Sequence, residues 1–294
     1  MSRRRRAAAA TGRGERAEKV RDVYVGRPFE GLTGEADWVA LRELVPAATA
    51  PVALAADLVD KHGERSVTLS TVLPMAWPAL TKSDGRVFVG LQRTTQSGDV
   101  SRDLALSLLL ALETEPGQPV SVPPLPGPGP RLQDVLAPGA DLDVSIHDGF
   151  EYWLDGESGD PEIKASLERA NASVFPAVRM QSAPAAYWCQ FPEKAHIRWV
   201  LPDQEDTALA ALARLSARSQ LDLGDKTRFA GMFRAHGLLV PVWDLPQAAG
   251  APEWESALAE VAGRYALALA EGSELDGAQR RARQGLLTRQ VTLR

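Results

Sequence analysis

Asp143, Ser145 and His147 alternate along one short segment, and an acid, a hydroxyl and an imidazole are the parts of a proton relay. An extended strand puts all three on one face, but it spaces i and i+2 side chains about 6.5–7 Å apart. Proton transfer needs heavy atoms within roughly 2.6–3.2 Å. The trio is therefore expected to be a solvated strand face. Cys189, the single cysteine of the 294 residues, is the one possible thiol nucleophile. It shares a strand face with Tyr187 and Phe191, and apolar surroundings raise a thiol's pKa and deplete the thiolate. A core cysteine is expected. The histidines, at 62, 147, 196 and 236, form no i, i+4 pair and have no cysteine at a zinc-like spacing. No catalytic residue, metal or cofactor follows from these patterns.

The seven tryptophans carry more information. Trp153, Trp188, Trp199 and Trp243 fall on expected strands, and a buried indole N–H wants an acceptor. Together with Arg198 and Asp244, the residues Trp153, Trp199 and Trp243 could line a pocket with polar handles. A sheet core of large side chains accounts for the same pattern. Asp99 and Arg102, at the start of an apolar helix, offer an anion site that local helix capping explains equally.

Charge is distributed unevenly. Residues 1–21 carry +6, with Arg3, Arg4, Arg5 and Arg6 in a row, and residues 280–294 carry +5, including Arg280, Arg281 and Arg283. The net charge is −5, so the body at 22–279 holds −16. Basic ends on an acidic body can bind a polyanion by releasing condensed counterions, or can solvate the termini, or lie against the body. No apolar run approaches the roughly 20 residues that span a bilayer, and no apolar stretch follows the first arginines as a secretory signal requires. With one cysteine there is no intramolecular disulfide, so a cytoplasmic setting is expected.

The elements that must position these residues read as an α+β fold, with mixed or antiparallel sheets packed against helices. Residues 1–25 read as a disordered basic tail. A first half at 26–115 contains a helix after Gly34, with Trp38, Leu41 and Val45 on one face and Pro46 as its stop. Strands around 66–71 and 86–91 follow, then a leucine-rich helix capped by Asp99 or Ser101. The Pro/Gly-rich stretch 116–130 reads as a linker, and its Gly127-Pro128-Gly129 is no phosphate loop, because proline removes a donor. A second half at 131–275 starts with strands at 142–146 and 150–154, then a helix from Pro161. Strands near 175–180, 186–191 and 195–201 come next, then a helix after Asp203. A hairpin turns at His236-Gly237, and a last long helix opens at Pro252. Residues 276–294 form a basic C-terminal segment. The halves are loosely similar in element order, which an ancient duplication and chance would both explain.

Several strings resemble an actinobacterial family classified as a domain of unknown function, DUF5926. They include RPFEGL from Arg27, DWVALRELVPAATA from Asp37, LPMAWPAL from Leu73 and SGDVSRDLA from Ser97. SLERANA from Ser166, AYWCQFPEKAHIRWV from Ala186, FRAHGLLVPVWDLP from Phe233 and RQVTL from Arg289 extend the likeness over residues 27–294. The resemblance implies little about activity. Family members are often labelled SecA-like or topoisomerase, and some carry a short cysteine-rich zinc motif of the SEC-C type near the N-terminus. This chain has no cysteine before Cys189 and no Gly-Lys-Ser/Thr of a Walker loop, so neither label transfers. The basic tail stands in the place of that zinc motif.

The expectation from the sequence is a non-enzymatic binding or adaptor protein, with a body that recognises a protein partner and basic ends that contact RNA, the ribosome or another polyanion. The alternative is a small-ligand binder or enzyme with a tryptophan-lined pocket. A scaffold or dimer module is a third reading, and it would expose a large apolar patch.

Overall fold

A computed structural model describes residues 22–118, 120–121, 127–139, 142–154 and 161–288. Arg3 to Arg6, most of the expected basic tail, and parts of the 116–130 linker lie outside the described residues.

The fold is α+β, built on two five-stranded sheets. The first contains β1 (Ala48–Val52), β2 (Val67–Ser70), β3 (Ala79–Thr81), β4 (Val87–Gly90) and β5 (Ser145–Ile146), in the order β3-β4-β2-β1-β5. It is mixed, because β2 and β4 run parallel while the other pairs are antiparallel. The second contains β6 (Ala177–Arg179), β7 (Ala186–Gln190), β8 (Ala195–Trp199), β9 (Arg228–Ala235) and β10 (Leu238–Leu245). Its order is β6-β7-β8-β10-β9, antiparallel throughout. The two sheets share a strand count but neither order nor direction, so topology gives a duplication no support.

The helices are α1 (Glu35–Glu43), α2 (Ala56–His62), α3 (Val100–Glu113), α4 (Leu132–Val135), α5 (Pro161–Asn171), α6 (Glu205–Ala217), α7 (Glu255–Ala270) and α8 (Gly277–Thr288). Asp99 caps α3 by accepting the Arg102 N–H at 3.3 Å, as its position predicts. The β9–β10 hairpin turns through His236 and Gly237, both at positive φ, the conformation a two-residue hairpin loop requires.

Helix α1 is the centre of the arrangement. Every residue from Ala36 to Arg42 is buried, so the helix is enclosed rather than half-buried on the single face its pattern suggested. Trp38, Val39, Ala40 and Leu41 share one apolar cluster with Leu69 and Val89 of the first sheet and with Tyr187, Val240 and Val242 of the second. Both sheets therefore close on one helix. The opposite face of the second sheet forms a separate cluster with α6, α7 and α8, containing Ile197, Trp199, Leu209, Trp243, Leu258 and Leu286.

Two expectations change, and the C-terminal segment gains a structure. Residues 150–154 form a 3-10 turn at Glu151–Trp153, not a strand, because Phe150, Tyr152 and Trp153 pack into a satellite cluster with Leu73 and Phe88. Residues 131–146, read from the sequence as the start of a second half, belong with the first sheet: β5 pairs with β1, and Leu132, Val135 and Leu142 join the cluster around α1. Within the basic C-terminal segment, residues 277–288 form a helix, α8, docked through Leu286.

Because α1 serves both sheets, truncating its one leucine is expected to weaken the whole molecule at once. Leu41→Ala removes a side chain that is 1% exposed, a loss of about 2–5 kcal/mol. Chemical denaturation followed by tryptophan fluorescence and far-UV circular dichroism should show one coincident transition at lower denaturant. Two separated transitions would contradict the shared core.

Candidate functional site

An enclosed helix must have its charged side chains satisfied from within. Asp37 accepts the Tyr187 hydroxyl at 2.9 Å and pairs with Arg179 at 2.7 Å, both from the second sheet. Arg42 turns to the other side, donating to the Leu91 carbonyl and to Gln96 on the connection between β4 and α3. Its Nε also lies 3.3 Å from Glu43. Glu43 in turn accepts from His236 at the β9–β10 turn, with Nε2 and Oε1 2.8 Å apart. That hydrogen bond is the main reason the Glu43 carboxyl sits below the usual carboxylate range, against the opposing effect of its burial.

These contacts form one wall of a cavity of about 540 Å³. Arg42 and Glu43 come from the end of α1, and Gln92, Arg93 and Gln96 from the connection to α3. The opposite wall is Phe175 before β6, Phe191 after β7, and Arg198 of β8. Phe175 and Phe191 pack in a tilted arrangement, with ring centroids 4.5 Å apart and an interplanar angle of 36°. The Arg198 guanidinium lies 4.9 Å from the Phe191 ring centroid, which holds it in place by cation–π attraction.

Arg198 is the unusual residue here. β8 is the middle strand of its sheet, and its neighbours Ile197 and Trp199 point into the core beneath the helices. Alternation sends Arg198 to the other face, toward α1. The residue is 9% exposed and has no hydrogen-bond or ion-pair partner among the described residues. Burial lowers the affinity of Arg198 for its proton, and it does the same at Arg42 and Arg93. Arginine nevertheless stays charged in proteins, so the cavity wall holds an uncompensated positive charge. Arg93 has only neutral acceptors in hydrogen-bond range, the Asp103 carbonyl at 3.2 Å and the Ser107 hydroxyl at 3.3 Å. The arrangement suits an anion that accepts charge-assisted hydrogen bonds from guanidinium groups.

The tryptophan-lined pocket is not assembled. Trp153 lies in the satellite cluster and donates to the Val72 carbonyl at 3.0 Å. Trp199 and Trp243 lie on the helix-covered face of the second sheet, where their indoles donate to Pro184 and Leu221 carbonyls at 2.9 and 2.6 Å. Asp244 is engaged by Lys194, His196 and Arg228. Of that set only Arg198 lines the cavity, because strand alternation separates it from Trp199. The Asp99–Arg102 anion site is also corrected, since Asp99 caps α3 and pairs with Arg131 at 3.0 Å. His147 bonds Thr49 of the neighbouring strand at 2.8 Å rather than Ser145. Among the C-terminal arginines, Arg283 pairs with Asp206 at 2.9 Å and Arg280 donates to the Leu275 carbonyl, while Arg281 is exposed on α8. Sequence patterns gave no sign of Arg42, Arg93, Phe175 and Phe191. The one available signal was an arginine between Ile197 and Trp199 on a central strand, AHIRWV from Ala195.

Among the described residues no group of three or more His, Cys, Asp or Glu is placed to hold a metal, and no helix is long and apolar enough to cross a membrane. Comparison with known proteins gives one finding: the model of a family of unknown function, DUF5926, matches residues 28–294. No curated protein and no solved structure matches.

Cys189 lies on the same sheet face as Arg198, fully buried, and burial pushes its thiol pKa up to about 11. At pH 8 iodoacetamide is expected to leave the native protein unlabelled and to label it after unfolding in urea. Labelling of the native chain at the unfolded rate would contradict the burial described.

Proposed function

The chain belongs to the DUF5926 family, and we propose that its folded body is a small-ligand-binding protein whose cavity beside the end of α1 takes an anion. One observation carries this reading: Arg198 is buried on a central strand, without a partner among the described residues, at the wall of a cavity that Arg42 and Arg93 also line. An unpaired buried charge costs several kcal/mol. A purely structural position would favour an apolar side chain of the same volume. The volume of about 540 Å³ falls in the range of sites for small molecules, roughly 300–1,000 Å³. Phe175 and Phe191 supply apolar surface for a ligand's body, and the guanidinium groups orient its charge.

Arg198→Met provides the test, because function and stability should move in opposite directions. Removing the charge is expected to stabilise the ligand-free protein by about 1 kcal/mol or more, a rise in Tm of roughly 2–4 °C. Binding of benzoate or phenyl phosphate, measured by calorimetry, should weaken by roughly tenfold or more. A destabilised variant with unchanged binding would sink the proposal.

A second reading rests on the charge asymmetry: basic ends that contact RNA, the ribosome or another polyanion, with the body acting as an adaptor. Its support is the +6 carried by residues 1–21 against an acidic body. The segment 22–25 leads that tail onto the body beside α3, where Gly98 donates to Asp22 at 2.8 Å. Deleting residues 1–21 should reduce the slope of log K against log salt for single-stranded RNA, by about 0.7 for each phosphate that the tail neutralises. An unchanged slope would remove the N-terminal tail from this reading.

A further inference from the structure

We propose that a cleft beside the start of α1 is a second binding site, for an uncharged and largely apolar small molecule whose hydrogen-bond acceptor takes the indole N–H of Trp38. The proposal stands apart from the anion-binding reading above, because the two openings share no lining residue.

The cleft has a volume of about 430 Å³, within the range of small-molecule sites. Trp38, Leu136 and Leu142, all buried, form its apolar floor, and Leu32 and Val52 are half-buried beside them. Ala53 and Asp143 lie exposed on the rim. Its walls are tied together by the backbone. The Ala137 N–H donates to the Ala53 carbonyl at 2.9 Å and the Ala55 N–H to the Val135 carbonyl at 3.0 Å, which fixes the chain after α4 against the end of β1. Gln133, also on the wall, is fully used. Its amide donates to the Pro28 and Glu30 carbonyls, each at 2.9 Å, and its oxygen accepts the Ser101 hydroxyl at 2.7 Å.

Trp38 is different. It is 2% exposed, and its ring stacks on Phe29 with centroids 5.8 Å apart and planes 24° apart. A buried indole N–H ordinarily finds an acceptor, as those of Trp153, Trp199 and Trp243 do. Trp38 Nε1 has none among the described residues. Trp188 and Trp254 also lack an acceptor, but their Nε1 atoms are sealed from solvent. Trp38 Nε1 is not sealed, so the N–H keeps access to the cleft that the residue lines. Charge then selects the ligand. Asp143 is the one charged side chain among the described lining residues, so an anion would meet a carboxylate and no cation. A cation would meet the positive edge of the indole. A neutral oxygen acceptor, such as a ketone, ester or ether, suits the N–H, and an apolar body covers Leu136 and Leu142.

The test is NMR titration of the nitrogen-labelled full-length protein, followed through the indole N–H resonance of Trp38, which is assigned by its loss in Trp38→Phe. Acetophenone at millimolar concentration should move this resonance downfield in a saturable way. Ethylbenzene, the same skeleton without the oxygen, should bind more weakly by about threefold or more. Benzoate should leave the resonance in place, whatever it does at the cavity beside the end of α1. Ala53→Phe, at an exposed rim position, should abolish the acetophenone shift while circular dichroism shows an intact fold. No movement with acetophenone, or an undiminished shift in Ala53→Phe, would overturn the site. Ethylbenzene binding as tightly as acetophenone would overturn the role of the N–H, and benzoate moving the resonance with equal affinity would overturn the preference for an uncharged ligand. None of these outcomes touches the anion reading, which Arg198→Met tests separately.

Discussion

A helix closed in on every side has no water to solvate its charges, and α1 carries Asp37 and Arg42 within its buried stretch. The protein resolves this by sending the two charges in opposite directions. Asp37 is taken up by Tyr187 and Arg179 of the second sheet, and Arg42 by Leu91 and Gln96 beside the first. Each sheet therefore holds the helix through a charged contact as well as through apolar packing. Breaking either contact would leave a buried charge unsatisfied, which costs more than the contact itself contributes. The position of the cavity follows from this geometry. It opens at the end of α1, between Arg42 and Glu43 and the residues of the second sheet.

The polar groups around the cavity differ in how completely they are satisfied. Asp103 accepts two hydrogen bonds from Ser97, Glu43 is held by His236 and Arg42, and Asp244 pairs with Lys194 and Arg228 and contacts the His196 ring. Arg198 has a favourable π-face contact but no counter-charge. Natural folds pair most of their buried charges, and the pairing around Arg198 is thorough. The exception is the observation on which the proposed anion site rests, because exceptions of this kind are common at functional sites.

Much of the fold was legible from the sequence, and the reasons are local. Gly34 and Pro46 bracket α1, Asp99 caps α3, Pro161 opens α5, and His236-Gly237 turns the hairpin. Each of these acts through its own backbone or its immediate neighbours. What was not legible depends on partners distant in the chain. β5 is two residues long and exists only because β1 offers it an edge. Trp153 looked like a strand residue because the stretch alternates, but its ring was claimed by a cluster with Phe150. The candidate site was legible only in part: Arg198 was noticed as a polar handle beside tryptophans, while Arg42 and Arg93, which line the cavity with it, lie far upstream in the chain. Spacing along the chain carries no signal for a wall formed by two sheets.

The placement of α1 also bears on the order in which the chain can acquire its structure. Asp37 and Tyr187 are separated by 150 residues, and the cluster around α1 is completed only by Val240 and Val242. During synthesis the helix leaves the ribosome early, with one of its two walls still to be made. At about 5–20 residues per second, the interval before the second wall emerges is on the order of 10–40 s. Throughout that time Asp37 and the apolar residues beside it on α1 lack the second sheet that covers them in the finished protein. Such a surface is a natural client for a chaperone, so the feature that gives the finished protein a single core also gives the nascent one a period of vulnerability.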